Sequence, residues 1–80
     1  MNDRTRIPFI FPGRGRVELT IGRCRRLCPA ETTALLEAAN QVRSAPDEAT
    51  RREAAAHFAA CLHTLQAALP QAARRLLEGG

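Results

Sequence analysis

Residues 16–21, Arg-Val-Glu-Leu-Thr-Ile, alternate strictly between polar and apolar. Val17, Leu19 and Ile21 share one face and Arg16, Glu18 and Thr20 the other, the period-two pattern of a half-buried strand. Upstream, Ile7, Phe9 and Phe11 alternate in the same way. Pro8 has no N–H to give to a ladder, so it places this first run at a sheet edge. Between the two runs stands Pro12-Gly13-Arg14-Gly15. Proline presets φ at the first central position of a turn, and glycine tolerates the positive φ of the second. The pattern predicts a β-hairpin, with Gly22-Arg23-Cys24-Arg25-Arg26 continuing from its second strand.

The period changes after Cys28. Pro29 suits the first position of a helix, and Leu35, Ala38, Ala39 and Val42 then recur at helical spacing. This helix is expected to stop before Ala45-Pro46, because a residue preceding proline avoids the α region. Pro46-Asp47-Glu48 opens a second helix with carboxylates in its first turn, where the helix dipole favours them. Phe58, Leu62, Leu65 and Leu69 then form a narrow apolar stripe, the expected core. Pro70 is expected to end or kink that helix, leaving Gln71 to Leu77 as a short third helix closed by Gly79-Gly80. The fold class is therefore α+β, in the order ββααα: an N-terminal β-hairpin, an antiparallel helical hairpin and a short C-terminal helix.

At 80 residues the chain reads as a single small domain, 1–80, with a basic β-hairpin region (1–28) and an Ala-rich helical region (29–80). Such a chain buries only about 60% of its unfolded surface, so its stability is marginal and a homo-oligomer or another partner would support it. No apolar run approaches the ~20 residues of a membrane span, and the stretch Ile7–Phe11 is shorter than the ~7–15 apolar residues of a signal peptide, so neither is expected. Three cysteines make an odd count for a disulfide scaffold. The expected setting is cytoplasmic, with reduced thiols.

Charge divides the chain unevenly. Residues 1–28 hold seven arginines and two acids, a net +5, whereas residues 29–80 hold five arginines and six acids, a net −1. All twelve basic residues are arginine. GC-rich coding also enriches arginine over lysine, so position says more than number. Arg14, Arg16, Arg23, Arg25 and Arg26 cluster on the hairpin and just after it, with Arg4 and Arg6 in the arm before. A concentrated arginine edge suits phosphates, through forked hydrogen bonds and counterion release. It serves equally against an acidic protein surface.

Two further groups bear on chemistry. Cys24 and Cys28, with His57 and Cys61 four apart on the second helix, have the residue types of a structural zinc site. The arginines around the first pair oppose a cation, and free cysteine often just fills space. No metal or other cofactor is expected. Cys28 also stands near a helix N-cap beside Arg25 and Arg26, features that favour a thiolate. No phosphate-cradling loop, paired-acid motif or Ser/His/Asp arrangement is recognisable, so an enzyme is not expected. The expectation is a non-enzymatic regulatory module acting on a nucleic acid or nucleoprotein complex through the arginine edge. The alternative is an adaptor or stoichiometric inhibitor docking on a larger protein complex, a role common among small phage- and mobile-element-encoded chains.

Overall fold

The structure, a computed structural model, describes residues 2–78, with side chains to Arg75. Two strands precede three helices: β1 (Arg6–Phe11), β2 (Gly15–Thr20), α1 (Ile21–Leu27), α2 (Pro29–Ser44) and α3 (Glu48–Glu78). The fold is α+β, with the ββααα order expected, but the short helix comes first among the three rather than last.

The strands pair antiparallel, with Phe9 opposite Val17 and Ile7 opposite Leu19. The Arg14 N–H donates to the Phe11 carbonyl at 3.0 Å, closing a turn over Pro12 and Gly13. Gly13 (φ +80) and Gly15 (φ +75) are the positive-φ residues here. The first is what a type II turn requires after proline, and the second lets the chain re-enter β2.

Ile21 does not extend β2. Thr20 ends the strand and caps α1, its hydroxyl accepting from the Arg23 N–H at 3.2 Å. Ile21 and Gly22 donate their amides to the carbonyls of Thr5 (2.9 Å) and Asp3 (3.0 Å). The arm before β1 thereby satisfies donors that a helix start leaves open. A Cβ on Gly22 would lie 3.3 Å from the Asp3 carbonyl oxygen, so the approach of this arm favours glycine. Alternation carried Ile21 into the strand reading because an apolar residue at that position fits both periods. Ile21 and Cys24, three apart, are the buried residues of α1.

Cys28 joins two helices. Its N–H donates to the Cys24 carbonyl (2.7 Å), ending α1, and its carbonyl accepts from the Thr32 N–H (3.0 Å), starting α2. Pro29 occupies the first turn of α2, where its missing N–H has no consequence. Residues 45–47 then turn the chain into α3, with the Asp47 carboxylate accepting from the Thr50 N–H at 2.7 Å. α3 packs chiefly on α2, forming the helical hairpin.

α3 runs through Pro70 to Glu78 as one helix, so no separate C-terminal helix forms. Gly79 and Gly80, expected to close that helix, lie outside the described residues. Proline removes one intrahelical bond, at about 3 kcal/mol in a helix interior. Packing on both sides holds the helix together: Leu65 and Leu69 are fully buried before the proline, and Ala72 packs against the same core after it.

The core differs from a stripe on one helix. Phe9, Cys24, Cys28, Leu35, Leu65 and Leu69 form its buried cluster. Phe58 and Leu62 pack against it only partly buried. Ile7, Phe11 and Leu19 line the same side from the sheet's inner face. On the opposite face, Ile10 is 63% exposed.

Candidate anionic-partner interface

Three of the five clustered arginines meet around one groove. Arg14 comes from the hairpin turn and Arg23 and Arg26 from α1. Between them the floor is apolar: Phe11 and the inner-face residues Val17 and Leu19 from the hairpin, Leu27 from α1 and Ala73 from α3. The groove encloses about 470 Å³ and is open to solvent. Arg23 and Arg26, three apart on a helix, project on one side, and α1 is set against the hairpin by the Thr20 cap and the two bonds from the arm.

Arg74 joins this patch from α3. It lines an adjoining depression of about 250 Å³ with Phe11, Pro12, Arg14, Pro70 and Ala73. Sequence reading placed Arg74 in the near-neutral half and missed it. It reaches Arg14 only because α3 continues past Pro70. Among the described residues, no acidic side chain lines either depression, and the charged ones that do are all arginine.

The other two arginines stand apart. Arg16 is exposed and, by strand alternation, lies on the sheet face opposite Val17. Arg25 pairs with Asp3 at 2.8 Å. That pair is solvated and contributes little to stability by itself, but it occupies the guanidinium and ties the arm to α1.

The cysteine and histidine candidates divide into two places. Cys24 and Cys28 are buried in the core. On α3, the Cys61 sulfur lies 3.7 Å from His57 Nε2, on an exposed helix flank. Among the described residues, no three His, Cys, Asp or Glu side chains converge as a metal-binding group.

At Cys28, burial works against the thiolate that an N-cap position favours. Burial pushes its thiol above the ordinary value, the Glu31 charge adds to this, and Arg75 opposes it. Burial raises Cys24 as well, with its neighbour Cys28 adding to the shift. Desolvation outweighs Arg75 at Cys28 and a backbone hydrogen bond at Cys24 because these sulfurs face the core.

No protein-family model, curated protein or solved structure matches the chain. No helix among the described residues is long and apolar enough to cross a membrane.

Proposed function

We propose that this chain is a non-enzymatic, regulatory, cytoplasmic binding module that grips a nucleic acid or nucleoprotein complex with Arg14, Arg23 and Arg26, joined by Arg74. The observation that carries this reading is the meeting of these guanidinium groups around one groove, with no acid among the described residues that line it. Phosphates offer the matching charge and fork geometry. Arg16 and Arg25 are secondary, one lying on the other face and one already paired.

A second reading rests on the apolar floor. A phosphate backbone does not use Phe11, Val17, Leu19 and Leu27, whereas an acidic protein segment could seat an apolar side chain there with its carboxylates on the arginines. That partner makes the chain an adaptor or stoichiometric inhibitor.

Titration against a labelled duplex at three salt concentrations tests the first reading. Log K should fall linearly with log salt, at about 0.9 per phosphate neutralised. The Arg14/Arg23/Arg26 triple alanine variant should lose binding while remaining folded. Absence of salt-dependent binding would remove nucleic acid and leave the protein partner.

A further inference from the structure

The two edges of the sheet are treated differently. On β1, both backbone groups of Ile10 are taken by the side chain of Gln66. They therefore point away from β2, and by the antiparallel alternation so does the Pro8 carbonyl. Opposite them in register stand Arg16 and Glu18, whose own N–H and C=O groups turn outward from β2. Among the described residues, no backbone hydrogen bond from outside the hairpin reaches this edge, and neither Arg16 nor Glu18 enters an ion pair. An uncovered strand edge is a template for another strand.

We propose that this edge pairs with β2 of a second copy of the chain, giving a four-stranded antiparallel sheet β1-β2-β2-β1 about a two-fold axis. The charges on β2 select the register. With Val17 opposite the second copy's Val17, Arg16 faces the second copy's Glu18, and Glu18 faces its Arg16. Sliding by two residues one way sets Glu18 against Glu18, and the other way sets Arg16 against Arg16. Each of those places like charges opposite one another, which destabilises a strand pair. In the favoured register the two Val17 residues form a non-hydrogen-bonded pair, whose side chains approach most closely. Leu19 falls opposite Gly15, which leaves it room. Val17 and Leu19 are only partly buried in one copy, so pairing covers apolar surface on the inner face while joining charges on the outer one. Val17 and Leu19 also belong to the floor of the arginine groove, so the pairing closes that floor from the β2 side, but it needs no ligand in the groove to form.

Sedimentation of the full chain tests it. The parent should sediment as twice 8.8 kDa. Arg16→Glu and Glu18→Arg should each stay folded and shift toward monomer, the dimer weakening about two- to thirtyfold for each pair changed from opposite to like charge. Mixing the two variants one to one should return a dimer, because each supplies the charge the other lacks. Glu18→Pro removes an outward donor without touching the ladder inside the hairpin and should also be monomeric. It keeps every arginine, so duplex binding by this variant reads the groove separately from the dimer. A parent that is monomeric at millimolar concentration overturns the pairing. So does a dimer that survives both charge reversals, or a mixture that stays monomeric.

Discussion

The side-chain amide of Gln66 on α3 serves Ile10 of β1 as a neighbouring strand would. The Ile10 N–H donates to Gln66 Oε1 at 2.8 Å, and Gln66 Nε2 donates to the Ile10 carbonyl at 2.6 Å. The two residues are 56 apart in sequence, so this pair of bonds docks the hairpin on the long helix and leaves β2 as the open edge. Gln66→Ala removes both bonds, each worth about 0.5–1.5 kcal/mol. Thermal unfolding should show a loss of about 1–3 kcal/mol for the two together, and the Ile10 amide should exchange faster with deuterium. An unchanged exchange rate would mean that the amide bridge is not held in solution.

Phe9 is 1% exposed at the centre of the core, whereas Phe58 is only partly buried. Phe9→Ala should cost about 3–5 kcal/mol, enough to unfold much of a marginal domain. Phe58→Ala should cost clearly less. Denaturant midpoints of the two variants check the order, and a larger loss at Phe58 would contradict it.

That contrast shows how far the residues could be read in advance. The hairpin was legible because Ile7, Phe9 and Phe11 alternate as Val17 and Leu19 do, and Pro12-Gly13 between the two runs admits few other backbones. α2 was legible from Pro29 and the Leu35 spacing. Ile21 was ambiguous because its period continued the strand; Thr20 caps α1 locally through the Arg23 N–H, but the carbonyls of Thr5 and Asp3 that receive the Ile21 and Gly22 amides come from a distant arm. Pro70 misled for the opposite reason: its local penalty is real, but tertiary packing around Leu69 and Ala72 outweighs it. Of the candidate interface, Arg14, Arg23 and Arg26 were legible as a cluster. The pairing of Arg25, the opposite facing of Arg16 and the arrival of Arg74 all depend on contacts between distant segments.

Thr32 is fully buried, and its hydroxyl has no hydrogen-bond partner among the described residues. A buried unsatisfied hydroxyl carries a desolvation penalty of about 1–3 kcal/mol. Thr32→Val replaces it with a methyl group of similar shape and should raise the melting temperature, by about 4–8 °C per kcal/mol recovered. A lower melting temperature would mean that the hydroxyl finds a partner, such as a bound water.

Asp47 is held below the usual carboxylate range by hydrogen bonds from Thr50, its backbone N–H first and its side chain second. A folded-state pKa below the unfolded value contributes stability above the unfolded pKa and loses it as pH falls through the folded one. The start of α3 should therefore weaken below about pH 4, where aspartate in an unfolded chain takes up its proton. Asp47→Asn keeps an acceptor for the Thr50 N–H and should flatten this part of the melting-temperature profile between pH 5 and pH 2. An identical acid profile in the parent and this variant would remove Asp47 as the source.

The arginines should rank by where the fold places them. Arg14, Arg23 and Arg26 rim one groove, and Arg74 adjoins it beside Arg14. Arg25 is already engaged by Asp3 at 2.8 Å, and Arg16 projects from the opposite face of the sheet. If phosphates lie along the groove, alanine at Arg14, Arg23 or Arg26 should each lower the salt-dependence slope by about 1. Arg74→Ala should do the same, although that residue lies far outside the basic N-terminal third. Arg25→Ala should change the slope least, since it frees Asp3 and removes a guanidinium that is already committed. Arg16→Ala is measured at a protein concentration where the parent's oligomeric state is fixed, so that any effect on strand pairing stays apart from binding. An acidic protein partner gives a different order: one or two of the groove arginines dominate, and Leu27→Ala or Val17→Ala weakens binding as much as they do. Equal losses from all five clustered arginines (Arg14, Arg16, Arg23, Arg25 and Arg26), with none at Arg74, would mean that bulk charge rather than this groove makes the contact. Exposed charge substitutions disturb folding little, so unchanged circular dichroism across the series assigns the differences to binding.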